Sequence, residues 1–260
     1  MRQPSPAPTG LFFGLEFFRL RLLLTLILAS SPALADENDW RVPFITTPGE
    51  VVERMLELAG TKPDDLVADL GSGDGRIVIA AARKYGARGL GIELDAELVD
   101  VSRENARKAG VADRVAFVQG DVLEADFSKA SVVTVYLLPN LISQLEPRFL
   151  ALKPGTRIVS HSFHMPSWRP DRTMTLQVTQ PHPGQGDVST LYLWIVPADV
   201  RGIWKRGSER VRIDQNYQEL DVDGTRGMVA GNAIAWGNFR GRVDGNRILG
   251  DDGAVLTRDR

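Results

Sequence analysis

The chain contains no cysteine among its 260 residues, which excludes disulfide bonds and metal sites built on thiolates. Its three histidines, His161, His164 and His182, lack the spacing of a zinc site, so we predict no metal. Basic residues are not in excess, because 31 Lys and Arg stand against 33 Asp and Glu. This balance lacks the basic footprint of nucleic-acid-binding proteins, so we expect no nucleic-acid partner.

Long apolar runs are also missing, apart from one near the N-terminus. Arginines precede the apolar run Leu22–Ala29, and Ala33-Leu34-Ala35 has the small-x-small form of a cleavage site. This layout predicts a signal peptide over residues 1–35 and a mature protein that starts near Asp36. We therefore expect an exported, periplasmic protein, or a membrane-anchored one if the segment stays uncleaved.

The run VADLGSGDGR at Val67–Arg76 is the most informative segment that is present. It places a carboxylate and three glycines between a buried strand and a helix, which is where doubly wound α/β folds hold a cofactor. Glycines let the backbone approach a ligand closely because they carry no Cβ. A dinucleotide fingerprint would need Gly or Ala where Arg76 stands, so the spacing excludes it. The candidate cofactor-binding residues of this segment are Asp69, Gly71, Gly73 and Gly75.

A second acid follows the glycines at a fitting distance. Arg88–Ile92 reads as the next strand, and Glu93 stands at its end, about 20 residues beyond the turn, where an acid binds a ribose diol. The alternative is a structural glycine turn with an unrelated surface glutamate. Motif, helix and acid agree in order and spacing, which favours the cofactor site.

Residues 40–197 alternate between strand and helix patterns. Thr47-Pro48-Gly49-Glu50 has the form of a capping box that opens a helix at residue 51. Five β-α repeats are followed by a pair of strands, which predicts a mainly parallel sheet. The strands after the first are predicted at Arg88–Ile92, Val115–Val118, Val132–Leu138, Arg157–Phe163, Met174–Thr179 and Ser189–Val196.

From residue 198 the pattern changes. Asp223-Gly224, Asp244-Gly245 and Asp252-Gly253 are hairpin signals between short alternating segments. We therefore predict a separate small antiparallel β module over residues 198–260. Its core is predicted to contain the aromatic residues Trp204, Tyr217, Trp236 and Phe239.

The pattern D-x-G-x-G-x-G resembles motif I of the class I S-adenosylmethionine (SAM) methyltransferases. From Val42 to Pro197 the chain resembles the branch that includes mitochondrial lysine methyltransferases acting on the ATP synthase c-subunit and the adenine nucleotide translocase. The resemblance is carried by TTPGEVVERML, DLGSGDGRIVIAAARKYGARGLGIEL and GDVLEADFSKASVVTVYLLP. It implies an α/β, Rossmann-like seven-stranded methyltransferase sheet with helices on both faces.

The resemblance also implies a cofactor, SAM, and roles for the candidate residues. Asp69 would orient the SAM amino group, and the three glycines would line its methionine part. Glu93 would bind both ribose hydroxyls. Asp121 stands where this class contacts the adenine amino group, and its alternative role is to cap the turn after the third strand.

The acceptor side is marked by the segment Tyr136-Leu137-Leu138-Pro139-Asn140 at the end of the fourth strand. Tyr136 and Pro139 are predicted to line the acceptor channel, with a place in the buried core as the alternative for Tyr136, and His164 is a further candidate to face the acceptor. The Asp/Asn-Pro-Pro-aromatic box of enzymes that act on adenine or glutamine nitrogens is absent. This absence argues against adenine and glutamine as acceptors. The family resemblance, separately, implies a protein lysine as the acceptor.

Two other functions stay open at this point, because SAM is made in the cytoplasm whereas the leader predicts export. An exported protein could bind SAM or a related nucleoside without turnover. Alternatively, the C-terminal module could bind an envelope partner, with the α/β domain as a scaffold. The sequence leaves the oligomeric state open.

Overall fold

The computed structural model describes residues 45–179, 181 and 186–259. The predicted signal peptide at residues 1–35 and His182 lie outside the described residues. Within the described ranges, none of the helices has both the length and the apolar character needed to cross a membrane.

A seven-stranded sheet forms the first part of the fold, with strands in the order β3-β2-β1-β4-β5-β7-β6. Strands β1 to β5 are parallel, whereas β7 is antiparallel to both β5 and β6. The fold class predicted from sequence is therefore confirmed. The strands are β1 (Leu66–Leu70), β2 (Arg88–Glu93), β3 (Val115–Gln119), β4 (Val132–Val135), β5 (Arg157–His161), β6 (Arg172–Gln177) and β7 (Val188–Ile195). The helices are α1 (Gly49–Leu58), α2 (Arg76–Tyr85), α3 (Ala96–Lys108) and α4 (Pro139–Leu150).

Burial explains why these segments form a two-faced sheet. All four residues of β4 are buried, as expected for a parallel strand covered on both faces. One core cluster packs α1, α2 and α3 on one face, where Val67 and Val159 contribute from the sheet. A second cluster packs α4 on the other face, with Leu70 and Ile158.

Four strands, β4 to β7, end earlier than the sequence predicts, β6 at Gln177 and β7 at Ile195. The apolar pattern predicts that β4 reaches Leu138, but the strand stops at Val135 because Pro139 begins α4, where its missing N–H costs no hydrogen bond. The pattern also predicts that β5 reaches Phe163, but the strand stops at His161, where the backbone turns with a positive φ at Ser162.

The predicted capping box at the start of α1 is wrong. Pro48 occupies the N-cap position and no side chain caps the helix. The Thr47 hydroxyl lies instead 3.4 Å from Nδ1 of His161. The Glu50 carboxylate accepts hydrogen bonds from Thr179, beyond the end of β6. Both side chains are thus drawn to partners more than 100 residues away in sequence.

The C-terminal β module is a closed antiparallel barrel of eight strands in the described part of the chain. Its core contains Trp204, which is fully buried. The Asp223-Gly224 turn has positive φ at both residues, as a two-residue hairpin of type I′ requires. The barrel strands are β8 (Gly202–Arg206), β9 (Glu209–Asn216), β10 (Glu219–Val222), β11 (Thr225–Ala230), β12 (Ala233–Trp236), β13 (Phe239–Asp244), β14 (Arg247–Gly250) and β15 (Val255–Arg258).

The barrel and the sheet share buried surface. The sequence predicts Tyr217 in the barrel core, but its ring stacks on Trp168 at 5.7 Å and its hydroxyl donates to Glu146 on α4. Gln218 accepts from Trp168 Nε1 at 2.9 Å and donates to the carbonyl of Arg169 at 2.7 Å. Tyr217 therefore covers the sheet rather than the barrel interior, and the domain boundary at residue 197 stays a prediction.

Candidate active site

The candidate site lies at the carboxyl edge of the parallel strands. Strand β1 pairs with β2 on one side and with β4 on the other, so the strand order reverses direction at β1. Ligands of open α/β sheets bind in the crevice at such a reversal. The predicted cofactor residues lie at the ends of β1 and β2 and in the turns after β1 and β3, and the predicted acceptor residues follow β4.

The glycine turn after β1 needs glycine for steric reasons. Gly71, Gly73 and Gly75 all have positive φ, which other residues rarely adopt. A Cβ on Gly71 would lie 2.9 Å from the Leu137 side chain, and one on Gly75 would lie 2.7 Å from the Phe117 ring. The turn therefore packs against Leu137, after β4, and against Phe117 on β3, and of its three glycines only Gly71 is exposed.

Glu93 at the end of β2 is joined directly to the glycine turn. Its Oε2 accepts a hydrogen bond of 2.8 Å from the backbone N–H of Gly73, and its Oε1 accepts from the N–H of Asp95. A carboxylate offers about four lone-pair sites, so about two remain for hydroxyl donors. The structure thus brings the predicted ribose-binding acid and the predicted glycines together.

Asp69 is a buried carboxyl at the end of β1. It accepts a 2.7 Å hydrogen bond from the hydroxyl of Thr134 on β4. Burial, together with the negative charges of Glu93 and Asp74, raises the pKa of Asp69 from 3.8 to about 7 against the opposing effect of the Thr134 hydrogen bond. A nearby positive group would stabilise the ionised form and reverse this shift.

Asp121 follows β3 and is exposed. Its Oδ1 accepts from the backbone N–H of Leu123 at 2.8 Å, so it makes the turn-capping contact that was the alternative to adenine binding.

Leu94, directly after Glu93, was not identified from the sequence. Its side chain is 69% exposed at the same edge, an apolar surface suited to a planar ring. The signal for it was a large apolar residue next to the candidate ribose acid.

Tyr136 and Pro139 were predicted as acceptor residues, and they lie in different surroundings: Tyr136 lies among aromatic rings, whereas Pro139 begins a helix. The Tyr136 ring lies 4.2 Å from the His161 ring and 6.4 Å from the Phe163 ring. Pro139 is the first residue of α4 and starts that helix. His164 is exposed, its Nδ1 lies 3.0 Å from the carbonyl of Met165, and its ring packs edge-on against Tyr192 of β7 with centroids 5.6 Å apart.

His161 is buried and lies between two hydroxyl groups. Its Nε2 lies 3.1 Å from the hydroxyl of Ser189, and its Nδ1 lies 3.4 Å from that of Thr47. Burial lowers the pKa of His161 from 6.5 to about 4, so its ring is neutral at physiological pH. Across residues 45–179, 181 and 186–259, no group of three His, Asp or Glu side chains is arranged to hold a metal ion.

Comparison with known proteins assigns the family. A family model described as the ANTKMT methyltransferase domain matches residues 69–172. A protein-lysine N-methyltransferase of Saccharolobus islandicus strain REY15A is 40% identical over 158 residues, which are 60% of this chain and 94% of that protein. The chain belongs to this methyltransferase family. It is a SAM-dependent enzyme, and the alternative of a binding protein without turnover finds no support.

Two other similar proteins are methyltransferases with different named substrates. The mouse lysine N-methyltransferase of the ATP synthase c-subunit is 38% identical over 153 residues, and the match spans 58% of this chain and 61% of the mouse protein. A crystal structure from Salinibacter ruber, described as an RNA methyltransferase in complex with S-adenosyl-L-homocysteine, has 52% sequence identity and a TM-score of 0.54. That match covers 60% of this chain and 96% of the Salinibacter chain.

The residues of the candidate cofactor site fit SAM. The turn has no room for a Cβ at Gly71 or Gly75, and Glu93 keeps acceptor capacity for hydroxyl groups. The buried hydroxyl of Ser72, within the turn, makes no hydrogen bond to any described residue. When bound, SAM supplies an electrophilic methyl group, whereas the protein supplies position and electrostatic environment.

We expect Glu93→Ala to weaken SAM binding about tenfold or more. One hydrogen bond to a charged group contributes about 1.5–3 kcal/mol, and 1.4 kcal/mol is a tenfold change in affinity. Titration calorimetry with S-adenosyl-L-homocysteine measures the effect. Glu104→Ala, on the exposed side of α3, is the matched control and should bind normally. Equal affinity in the two variants would contradict the assignment of Glu93.

Asp69→Asn should stabilise the ligand-free protein above pH 7. The Asp69 carboxyl keeps its proton to a higher pH when folded than when unfolded, so stability is lost as the pH rises from about 4 to about 7. The difference between 3.8 and about 7 corresponds to about 4 kcal/mol. Thermal unfolding should show a higher midpoint for Asp69→Asn at pH 8, and a smaller difference at pH 5.

Asp65→Asn is the control with the opposite sign. Hydrogen bonds from Ser131, Lys62 and Arg157 outweigh burial and lower the pKa of Asp65, so its contribution is present at neutral pH and lost in acid. Asp65→Asn should therefore lower the unfolding midpoint at pH 8. A lower midpoint for Asp69→Asn as well would mean that the Asp69 carboxylate is stabilised in the fold, contrary to our interpretation.

Proposed function

We propose that this enzyme transfers a methyl group from SAM to the side-chain amine of a protein lysine. The relationship to the Saccharolobus protein-lysine N-methyltransferase, which extends over 94% of that protein, carries the proposal. The lysine specificity named for the mouse relative supports the same class of acceptor. The segment Tyr136–Asn140 agrees with it, since the box used on adenine and glutamine nitrogens is missing there.

The described residues suit methyl transfer to an amine. The reaction is an in-line displacement, which needs close approach and a lysine nitrogen that has lost its proton. An apolar environment lowers the pKa of a lysine amine, because burial disfavours the charged form. The half-buried Tyr136 ring and the exposed Leu138 give the edge beside the glycine turn this character, and the buried His161 ring behind Tyr136 carries no charge.

The cofactor roles follow from position. The Asp69 carboxylate would face the SAM amino group, which supplies the positive charge that favours its ionised form. The glycine turn would line the methionine part, and Glu93 would bind the ribose hydroxyls with its remaining lone pairs. Leu94 would cover one face of the adenine, and Asp121 would use its exposed carboxylate on the adenine amino group.

RNA is the competing acceptor, because the Salinibacter structure is described as an RNA methyltransferase. Charge argues against it here. The chain carries a formal net charge of −2, and affinity for nucleic acid depends on an excess of cationic side chains. We therefore treat RNA as an outcome of the test.

When the purified enzyme and labelled SAM are added to a cell extract, digestion of the extract proteins should release labelled methyl-lysine. The rate should rise about tenfold per pH unit below the pKa of the acceptor amine, because only the neutral amine attacks. Glu93→Ala should lose most of the labelling, whereas Glu104→Ala should keep it. Label that is removed by ribonuclease, with none in methyl-lysine, would overturn the lysine proposal and establish RNA as the acceptor.

We also propose that the enzyme is exported, on the basis of the leader at residues 1–35. The apolar run Leu22–Ala29 and the small residues Ala33 and Ala35 support cleavage before Asp36. Mass spectrometry of the native protein should find an N-terminus near Asp36 in the periplasmic fraction. Intact chains in the membrane fraction would indicate an anchor instead, and intact chains in the cytoplasm would overturn export.

A further inference from the structure

A strained turn ends β5 beside the candidate acceptor position. Ser162 has φ of 66°, and the N–H of Phe163 donates to the carbonyl of His161 at 2.8 Å. This is a γ-turn with positive φ, the rarer and more strained form. The N–H of Ser162 also donates to the carbonyl of Thr190 on β7, so the neighbouring strand holds the turn in place. Strain of this kind is found most often at functional sites.

The turn presents two rings to a third. Phe163 lies nearly parallel to Tyr136, with centroids 6.4 Å apart and 19° between the ring planes. His161 lies at 4.2 Å from the same Tyr136 ring, tilted by 37°. His161 is fully buried, whereas Tyr136 and Phe163 are only half-buried, so the latter two present ring surface at the carboxyl edge.

Two contacts tie these rings to the cofactor turn. Leu137, next to Tyr136, fills the space against Gly71. The guanidinium of Arg76, at the end of the glycine motif, donates to the carbonyl of Thr47 at 2.8 Å. The hydroxyl of Thr47 in turn lies 3.4 Å from the His161 ring. The ring cluster is therefore linked to the glycine turn that would line the methionine part of SAM.

We propose that Tyr136 and Phe163 form an aromatic wall that binds the methylene stem of the acceptor lysine. His161 is a positioning residue, which contacts the Tyr136 ring from the buried side and holds it in place. The proposal rests on the proposed function. Lysine buries its four-carbon stem along apolar surface while its nitrogen stays free to react. Ring faces supply such surface and exclude water. A neutral imidazole held between two hydroxyl groups supports Tyr136 without placing a competing cation there.

The decisive variant is Phe163→Leu, which keeps apolar volume but removes the ring. We expect the half-saturating concentration of extract protein in the methyl-lysine assay to rise about three- to tenfold, which is the size of an aromatic contact. The maximal rate should change less than about twofold, and affinity for S-adenosyl-L-homocysteine should stay the same. Phe239→Leu, which makes the same change at a ring stacked on Trp236 in the barrel, is the control and should behave as the unaltered protein.

His161 is tested by a pair of variants. His161→Gln provides an amide that can bridge the hydroxyls of Thr47 and Ser189, whereas His161→Leu cannot. Activity should be kept by the first and lost by the second, and the pH profile of His161→Gln should match that of the unaltered protein, since the ring carries no charge in the working range. A shifted profile would make His161 a proton-transfer group and overturn its positioning role.

The possible outcomes distinguish a failure of the aromatic wall from a failure of the proposed lysine methyltransferase function. If the unaltered enzyme forms methyl-lysine and Phe163→Leu saturates at the same extract concentration, the aromatic wall is wrong and the lysine function stands. If Phe163→Leu loses affinity for S-adenosyl-L-homocysteine in parallel with activity, the ring serves the cofactor and the wall is also wrong. If the unaltered enzyme labels only RNA, the proposed function and the wall fall together.

Discussion

The pairing of β1 with β4 joins the two halves of the site, and the hydrogen bond from the Thr134 hydroxyl to the Asp69 carboxyl group links the two strands through their side chains as well. Asp69 and Thr134 are direct partners in the parallel register of these strands. A shift of the register by one residue would turn every side chain of one strand to the opposite face of the sheet. The cofactor turn after β1 and the acceptor segment after β4 therefore keep their relative position only while this register holds.

Much of the cofactor half followed from the sequence because its determinants are local. Positive φ at the three glycines and the acid at the end of the next strand depend on short stretches of chain. The acceptor half did not follow, because its contacts join distant segments: Thr47 meets His161, 114 residues later, and Glu50 meets Thr179. The turn at Ser162 was hidden for another reason, since serine does not mark positive φ as glycine does.

The barrel was predicted as a set of hairpins, but neither its closure nor its attachment was visible in the sequence. Closure needs β8 to pair with β15, about 50 residues away, and no local pattern specifies that pairing. Attachment depends on Trp168, which lies inside the stretch matched by the family model, and on Tyr217 and Gln218, which lie beyond it. Without the barrel, a tryptophan of the methyltransferase fold would face water.

The close contact between Gly231 of the barrel and Gly155 of the methyltransferase fold has a practical consequence for protein engineering. A Cβ on Gly231 would lie 2.9 Å from the Cα of Gly155, so the loop after β11 and the loop before β5 touch backbone to backbone. Labels or fusion partners placed there would push the barrel off the sheet. The turn at Gly207, between β8 and β9, has nothing within 4 Å of a Cβ and offers a tolerant position for an inserted tag.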